Sequence, residues 1–170
     1  MKLDLERLQY VHPLLPVSTA AERVQCAAIA LQRRHAPGVA AGIKLPAESH
    51  QAVLFWNERP VAEAQQLDHQ RTTEDGAEGV ALSLVHAARG WVVVRRLQRG
   101  EHADWLLRET TTRRLIALEV SGTDEGDGHA RMAVKLAQVA ESRAARTRAA
   151  CVVGFLEPQA ALEFVLETPQ

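Results

Sequence analysis

Four residues, Thr110 to Arg113, separate two segments that read as strands: ADWLLRE, ending at Glu109, and RLIALEVSG, ending at Gly122. So short a link implies an antiparallel hairpin. A loop centred between Thr111 and Thr112 also sets the register, with paired positions summing to 223. Ile116 then faces Leu107, Leu118 faces Trp105, and Arg114 meets Glu109 as an ion pair near the turn. The same arithmetic puts Asp104 opposite Glu119. Directly opposed residues hold their Cβ atoms about 4.5–5.5 Å apart. Two carboxylates at that range repel by roughly 3 kcal/mol at an effective dielectric of about 20. A fold that keeps them needs a divalent cation, a nearby Lys or Arg, or a shared proton. Ser121 lies two residues beyond Glu119 and so points to the same face. The competing reading is structural: Asp104 as a solvated strand start, and Glu119 as a strand-end charge paired to Arg131. An odd loop length would turn Asp104 to the other face.

The flanking pattern fixes the fold class. Ala77, Val80, Ala81, Leu84, Val85 and Ala88 follow helical spacing, with Thr72 and Asp75 as a cap and Gly90 as the stop. WVVVRRL is a β-branched strand ahead of the hairpin. After the loop TDEGDG, the spacing of Met132, Leu136, Val139 and Ala140 predicts a helix. AACVVGFLEP reads as a buried strand and QAALEFVL as a closing element. The order is α-β-β-β-α-β, an α/β core with a mixed central sheet. The second helix serves as a crossover that makes the third and fourth strands parallel. Residues 1–70 form an α+β extension packed on that core (71–170), the whole making one structural domain. In the extension, Thr19 and Glu22 read as a capping box for a helix that Pro37-Gly38 stops. An apolar piece, Val39 to Leu45, precedes a strand in QAVLFWN, and residues 57–71 read as connecting structure.

Composition excludes several classes. A net charge of -1 over 170 residues is not that of a strongly basic nucleic-acid binder. The stretch from Trp91 to Arg148 nevertheless carries eleven Lys and Arg against eight Asp and Glu, which suits a phosphate-facing surface. Cys26 and Cys151 form no redox or metal motif, which fits a reducing cytoplasm. No apolar run is long enough to span a membrane. The seven histidines fall into no zinc spacing. The Gly- and Asp-rich loop lacks the spacing of a calcium loop, and Ser121 has no paired His. His102 and His129 border the proposed acid pair. Trp91 and Trp105 read as core or edge aromatics, and Trp56 as the tryptophan placed for an interface.

Helix, strand, ADW, hairpin, LEVSG, helix and strand together resemble the PD-(D/E)XK nuclease superfamily, the restriction-endonuclease-like fold, over residues 72 to 160. Asp104 matches the family's Asp at the start of the second core strand. Glu119 matches the Glu of its Glu-x-Lys triplet. The resemblance implies that Asp104, Glu119, the carbonyl of Val120 and, from the first core helix, Glu78 hold Mg²⁺ or Mn²⁺. The triplet's Lys is Ser121 here, a departure from the family's pattern. Some members supply the amine from the next helix, and Lys135 is the only Lys after residue 44. Arg131, Lys135, Gln138 and Ser142 share one polar stripe on that helix. By resemblance, then, the chain is a metal-dependent nuclease hydrolysing phosphodiester bonds, of the kind used in bacterial defence or repair. Lys135 would add positive charge, Gln138 or Ser121 would orient the water, and Arg95, Arg96, Arg99, Arg113, Arg114 and Arg131 would hold phosphates. Surface ion pairs to Glu101 and Glu109 are the plain alternative for those arginines. The other functional reading is an inactive nuclease-like domain that binds a protein partner or a second copy of itself.

Overall fold

The computed structural model describes residues 1–125 and 128–165. Asp127 of the Gly- and Asp-rich loop and Leu166 of the closing element lie outside the described residues. Among the described residues the protein is α/β, with a mixed eight-stranded sheet and five α-helices. The strands are β1 (Lys2–Asp4), β2 (Val39–Leu45), β3 (Glu48–Phe55), β4 (Trp91–Arg96), β5 (Trp105–Glu109), β6 (Leu115–Thr123), β7 (Thr147–Gly154) and β8 (Gln159–Phe164). The helices are α1 (Leu8–Val11), α2 (Val17–Gln32), α3 (Val61–Gln66), α4 (His69–Arg89) and α5 (His129–Ala140). The sheet order is β1-β3-β2-β8-β7-β6-β5-β4. β6 and β7 run parallel with α5 as their crossover, while β4, β5 and β6 form an antiparallel meander. β2 runs parallel to β8, so strands from the first 70 residues and from the remainder share one sheet.

The hairpin holds the register that its loop length predicts. Trp105 pairs with Leu118, Leu106 with Ala117, Leu107 with Ile116 and Arg108 with Leu115. The expected Arg114–Glu109 ion pair does not form. The two residues meet through the backbone, Glu109 N–H donating to the Arg114 carbonyl, and the Glu109 carboxylate takes the Thr112 hydroxyl instead. Alternation then divides the sheet into two faces. Ile116, Leu118 and Val120 pack with α2 and α4, while Ala117 packs with Met132 and Val139 of α5. Glu119 and Ser121 therefore belong to the α5 face.

α2 and α4 cross closely. A Cβ on Gly79 would stand 2.7 Å from the Arg23 carbonyl oxygen, so glycine lets the two backbones approach and brings Glu78 against Arg23. Both helices begin earlier than their sequences suggest. α4 is capped by Asp68, whose carboxylate accepts the Arg71 N–H at 2.8 Å, whereas Thr72 is buried with its hydroxyl donating to the Asp68 carbonyl. α2 starts after Pro16, with no side-chain cap, and Glu22 binds Arg23 and Arg71 instead of closing a capping box with Thr19. α2 also ends at Gln32, five residues ahead of Pro37. Trp56, expected at an interface, is 4% exposed within the main core. The stretch read as connecting structure contains α3, and the closing element is the strand β8. Among the described residues no helix is long and apolar enough to cross a membrane.

Candidate active site

β6 carries Glu119 into the layer between sheet and α5, where it is 2% exposed. A charge so buried needs a partner. Lys135 supplies it from α5: its Nζ donates to Glu119 Oε1 at 2.6 Å and to Gln138 Oε1 at 3.2 Å. Glu119 Oε2 is buried and has no hydrogen-bond partner. The stripe predicted on α5 thus meets the carboxylate predicted on β6. Arg131 does not reach Glu119; its Nη1 donates to Ser121 Oγ at 3.4 Å.

Asp104 sits in a bend just before β5. Its N–H continues the hairpin ladder to the Leu118 carbonyl at 3.0 Å, and its Oδ2 accepts the Val120 N–H at 2.8 Å. A strand residue's N–H and C=O point to the same side. The Val120 carbonyl therefore points to the β5 side of β6, past the first residue of β5. Burial, then the negative charge of Glu119, push the Asp104 carboxyl up to about 7, against the pull of the Val120 N–H; Glu78 adds to the rise and Arg96 opposes it. Asp104 and Glu119 thus sense each other across the hairpin, and between them one lysine supplies the compensating ammonium.

Glu78 is differently held. Both its oxygens bind Arg96, at 2.8 and 3.0 Å, and Oε2 also accepts Arg23 Nε at 2.6 Å. Arg96 in turn stacks over the Trp105 ring, its Cζ 5.0 Å from the centroid. Glu78 lies near Asp104 but its acceptor sites are occupied by two guanidinium groups. Sequence reading missed Arg23, which lies 55 residues from Glu78 and gives no local signal.

The remaining arginines divide by position. Arg95 is bound to Glu101 through both terminal nitrogens. Arg99 is exposed in the β4–β5 connection, at the Asp104 end of β5. Arg113 and Arg114 lie at the opposite end of β5, in the turn, where Arg113 takes φ 65°. They are not brought to the acid pair. His102 lies 3.5 Å from Glu141 at the end of α5.

The residues fit a divalent cation in part. Among the described residues no group of three or more His, Cys, Asp or Glu side chains is arranged to hold a metal. Asp104, Glu119 and the Val120 carbonyl remain as an all-oxygen set of three, in which Glu119 Oε2 has no hydrogen-bond partner. Mg²⁺ tolerates such a sparse set because it keeps several waters. Compared with known proteins, the chain matches no family model, no curated protein and no solved structure.

Proposed function

We propose that the protein is a divalent-cation-dependent nuclease with a restriction-endonuclease-like core running from α4 to β7. The observation that carries this reading is the Lys135–Glu119 contact, 2.6 Å across the β6–α5 interface. It supplies an amine at the acid pair despite Ser121 standing in the triplet's third place. The α4-β4-β5-β6-α5-β7 order, with β6 parallel to β7, supports the same reading.

Asp104, Glu119 and the Val120 carbonyl would hold Mg²⁺ or Mn²⁺. When bound, such an ion acts as a Lewis acid on a phosphoryl oxygen and lowers the pKa of a coordinated water. The chain's own residues do the rest. Lys135 places positive charge where a phosphate gains negative charge. Ser121 Oγ or the exposed Gln138 amide would orient a water. Arg131, bound to Ser121, and Arg99, exposed in the β4–β5 connection, would serve as phosphate contacts that position rather than read sequence. Glu78 serves as structure: it fixes Arg96 on Trp105, the residue next to Asp104.

A second reading is a silent nuclease-like subunit that docks on a protein partner. The observation favouring it is the same ion pair, since Lys135 is itself a counter-charge for Glu119. The test is incubation of mixed single- and double-stranded DNA and RNA with Mg²⁺ or Mn²⁺, beside Asp104→Ala and Glu119→Ala. Cleavage by the native chain, reduced at least about a thousandfold in both variants, is the expected result. No cleavage of any substrate with either ion rejects the enzyme in favour of the docking subunit.

A further inference from the structure

We infer that Lys135 is a tethered counter-ion that competes with the divalent cation for Glu119 and withdraws to Gln138 when the cation enters. The inference rests on the reading of Asp104 and Glu119 as a cation site and concerns how that site is regulated. Three observations carry it. First, the ammonium occupies only one side of the carboxylate: Nζ is 2.6 Å from Oε1, while Oε2 is buried and unpartnered. Second, the two partners differ in freedom. The Glu119 side chain is 3% exposed and fixed on a central strand, whereas Lys135 is 24% exposed on a flexible stem at the edge of α5. Any exchange must therefore move the lysine. Third, a resting place is already built. Gln138 lies one turn along α5 and is exposed, and its Oε1 accepts the same Nζ at 3.2 Å.

A divalent ion beside Asp104 and Glu119 would repel an ammonium held on the same carboxylate. The lysine can yield by rotating toward Gln138 without unfolding anything. In the metal-free protein it keeps a buried carboxylate compensated, which otherwise costs stability. The arrangement thus sets a threshold: the cation binds only at a concentration high enough to displace Lys135, and its arrival sends the ammonium outward, toward where a phosphate would lie.

The experiment is a Mn²⁺ titration by calorimetry at pH 8 on the native chain, Lys135→Met, Gln138→Ala and the double variant. Circular dichroism checks that each is folded. Lys135→Met should bind Mn²⁺ about tenfold more tightly. Gln138→Ala, which leaves Lys135 in place, should bind about threefold more weakly, and that loss should vanish when Lys135 is already Met. The Gln138 arm stands even if Lys135→Met fails to fold. Equal or weaker Mn²⁺ binding in Lys135→Met, or a Gln138→Ala effect that persists without Lys135, overturns the counter-ion role while leaving the cation site intact. No Mn²⁺ binding in any folded variant removes the site itself, and this inference with it.

Discussion

Glu78 and Glu119 are both buried carboxylates on core elements, yet their surroundings differ. Glu78, 7% exposed, is held by two guanidinium groups that use both its oxygens. Glu119, 2% exposed, has one ammonium on one oxygen, nothing on the other, and a second carboxyl across the hairpin. The first is a closed ion-pair network tying α4 to α2 and β4. The second has less positive charge around it, and beside it burial, then the negative charge of Glu119, raises the Asp104 carboxyl to about 7. A fully compensated buried acid reads as structure. An under-compensated one, beside a carboxyl that holds its proton to about pH 7, is a candidate for function.

Opening the closed network should cost stability at every pH. Glu78→Ala leaves Arg23, 7% exposed, with only the longer pairs to Glu22 and Asp75, at 3.1 and 3.5 Å, and leaves Arg96 without its carboxylate; urea unfolding should show a loss of about 3 kcal/mol. A loss under about 1 kcal/mol would mean the network is no tighter than a surface pair, and the contrast with Glu119 would fail.

The under-compensated side should respond oppositely. Asp104→Asn keeps an acceptor for the Val120 N–H but removes the repulsion. Because the folded carboxyl is raised from 3.8 to about 7, its contribution is fully present below about 3.8 and is lost as pH rises through 7. Relative to the native chain, Asp104→Asn should therefore gain stability progressively from pH 4 to pH 8, by about 2–4 kcal/mol at the top. Urea midpoints across that range check it, and a constant difference would refute it. The same variant should expose a slope of the other sign. His12, fully buried, donates Nε2–H to the Leu82 carbonyl and accepts the Val93 N–H at Nδ1, which fits the neutral ring. Burial pushes it down from 6.5 to about 4, so its contribution is present above 6.5 and fades as pH falls toward 4. In the native chain the two linkages oppose each other.

The meander and its acid pair were legible because their signals are local. A four-residue link set the register, and period-two alternation sent Glu119 and Ser121 to one face. Lys135 was findable because α5 has a clear apolar stripe and no other lysine follows residue 44. What escaped is non-local. The β2–β8 pairing joins segments more than 110 residues apart, and no pattern within either strand names its neighbour. The Arg23–Glu78 pair depends on a helix crossing that glycines permit but do not announce. Asp68 was hidden as a cap because it sits inside a polar stretch, where Thr72 three residues before Asp75 offered a competing signal. Trp56 directly follows β3 and precedes a polar stretch, so its sequence neighbours do not show that it is 4% exposed within the main core.

The most direct measurement is Mn²⁺ uptake followed by electron paramagnetic resonance on the native chain, Asp104→Ala and Glu119→Ala. The account predicts about one ion per chain, consistent with a site of two carboxylates and a carbonyl, and loss of that uptake in both variants. A folded native chain that takes up no Mn²⁺ at millimolar concentration, or variants that bind as the native chain does, would contradict it.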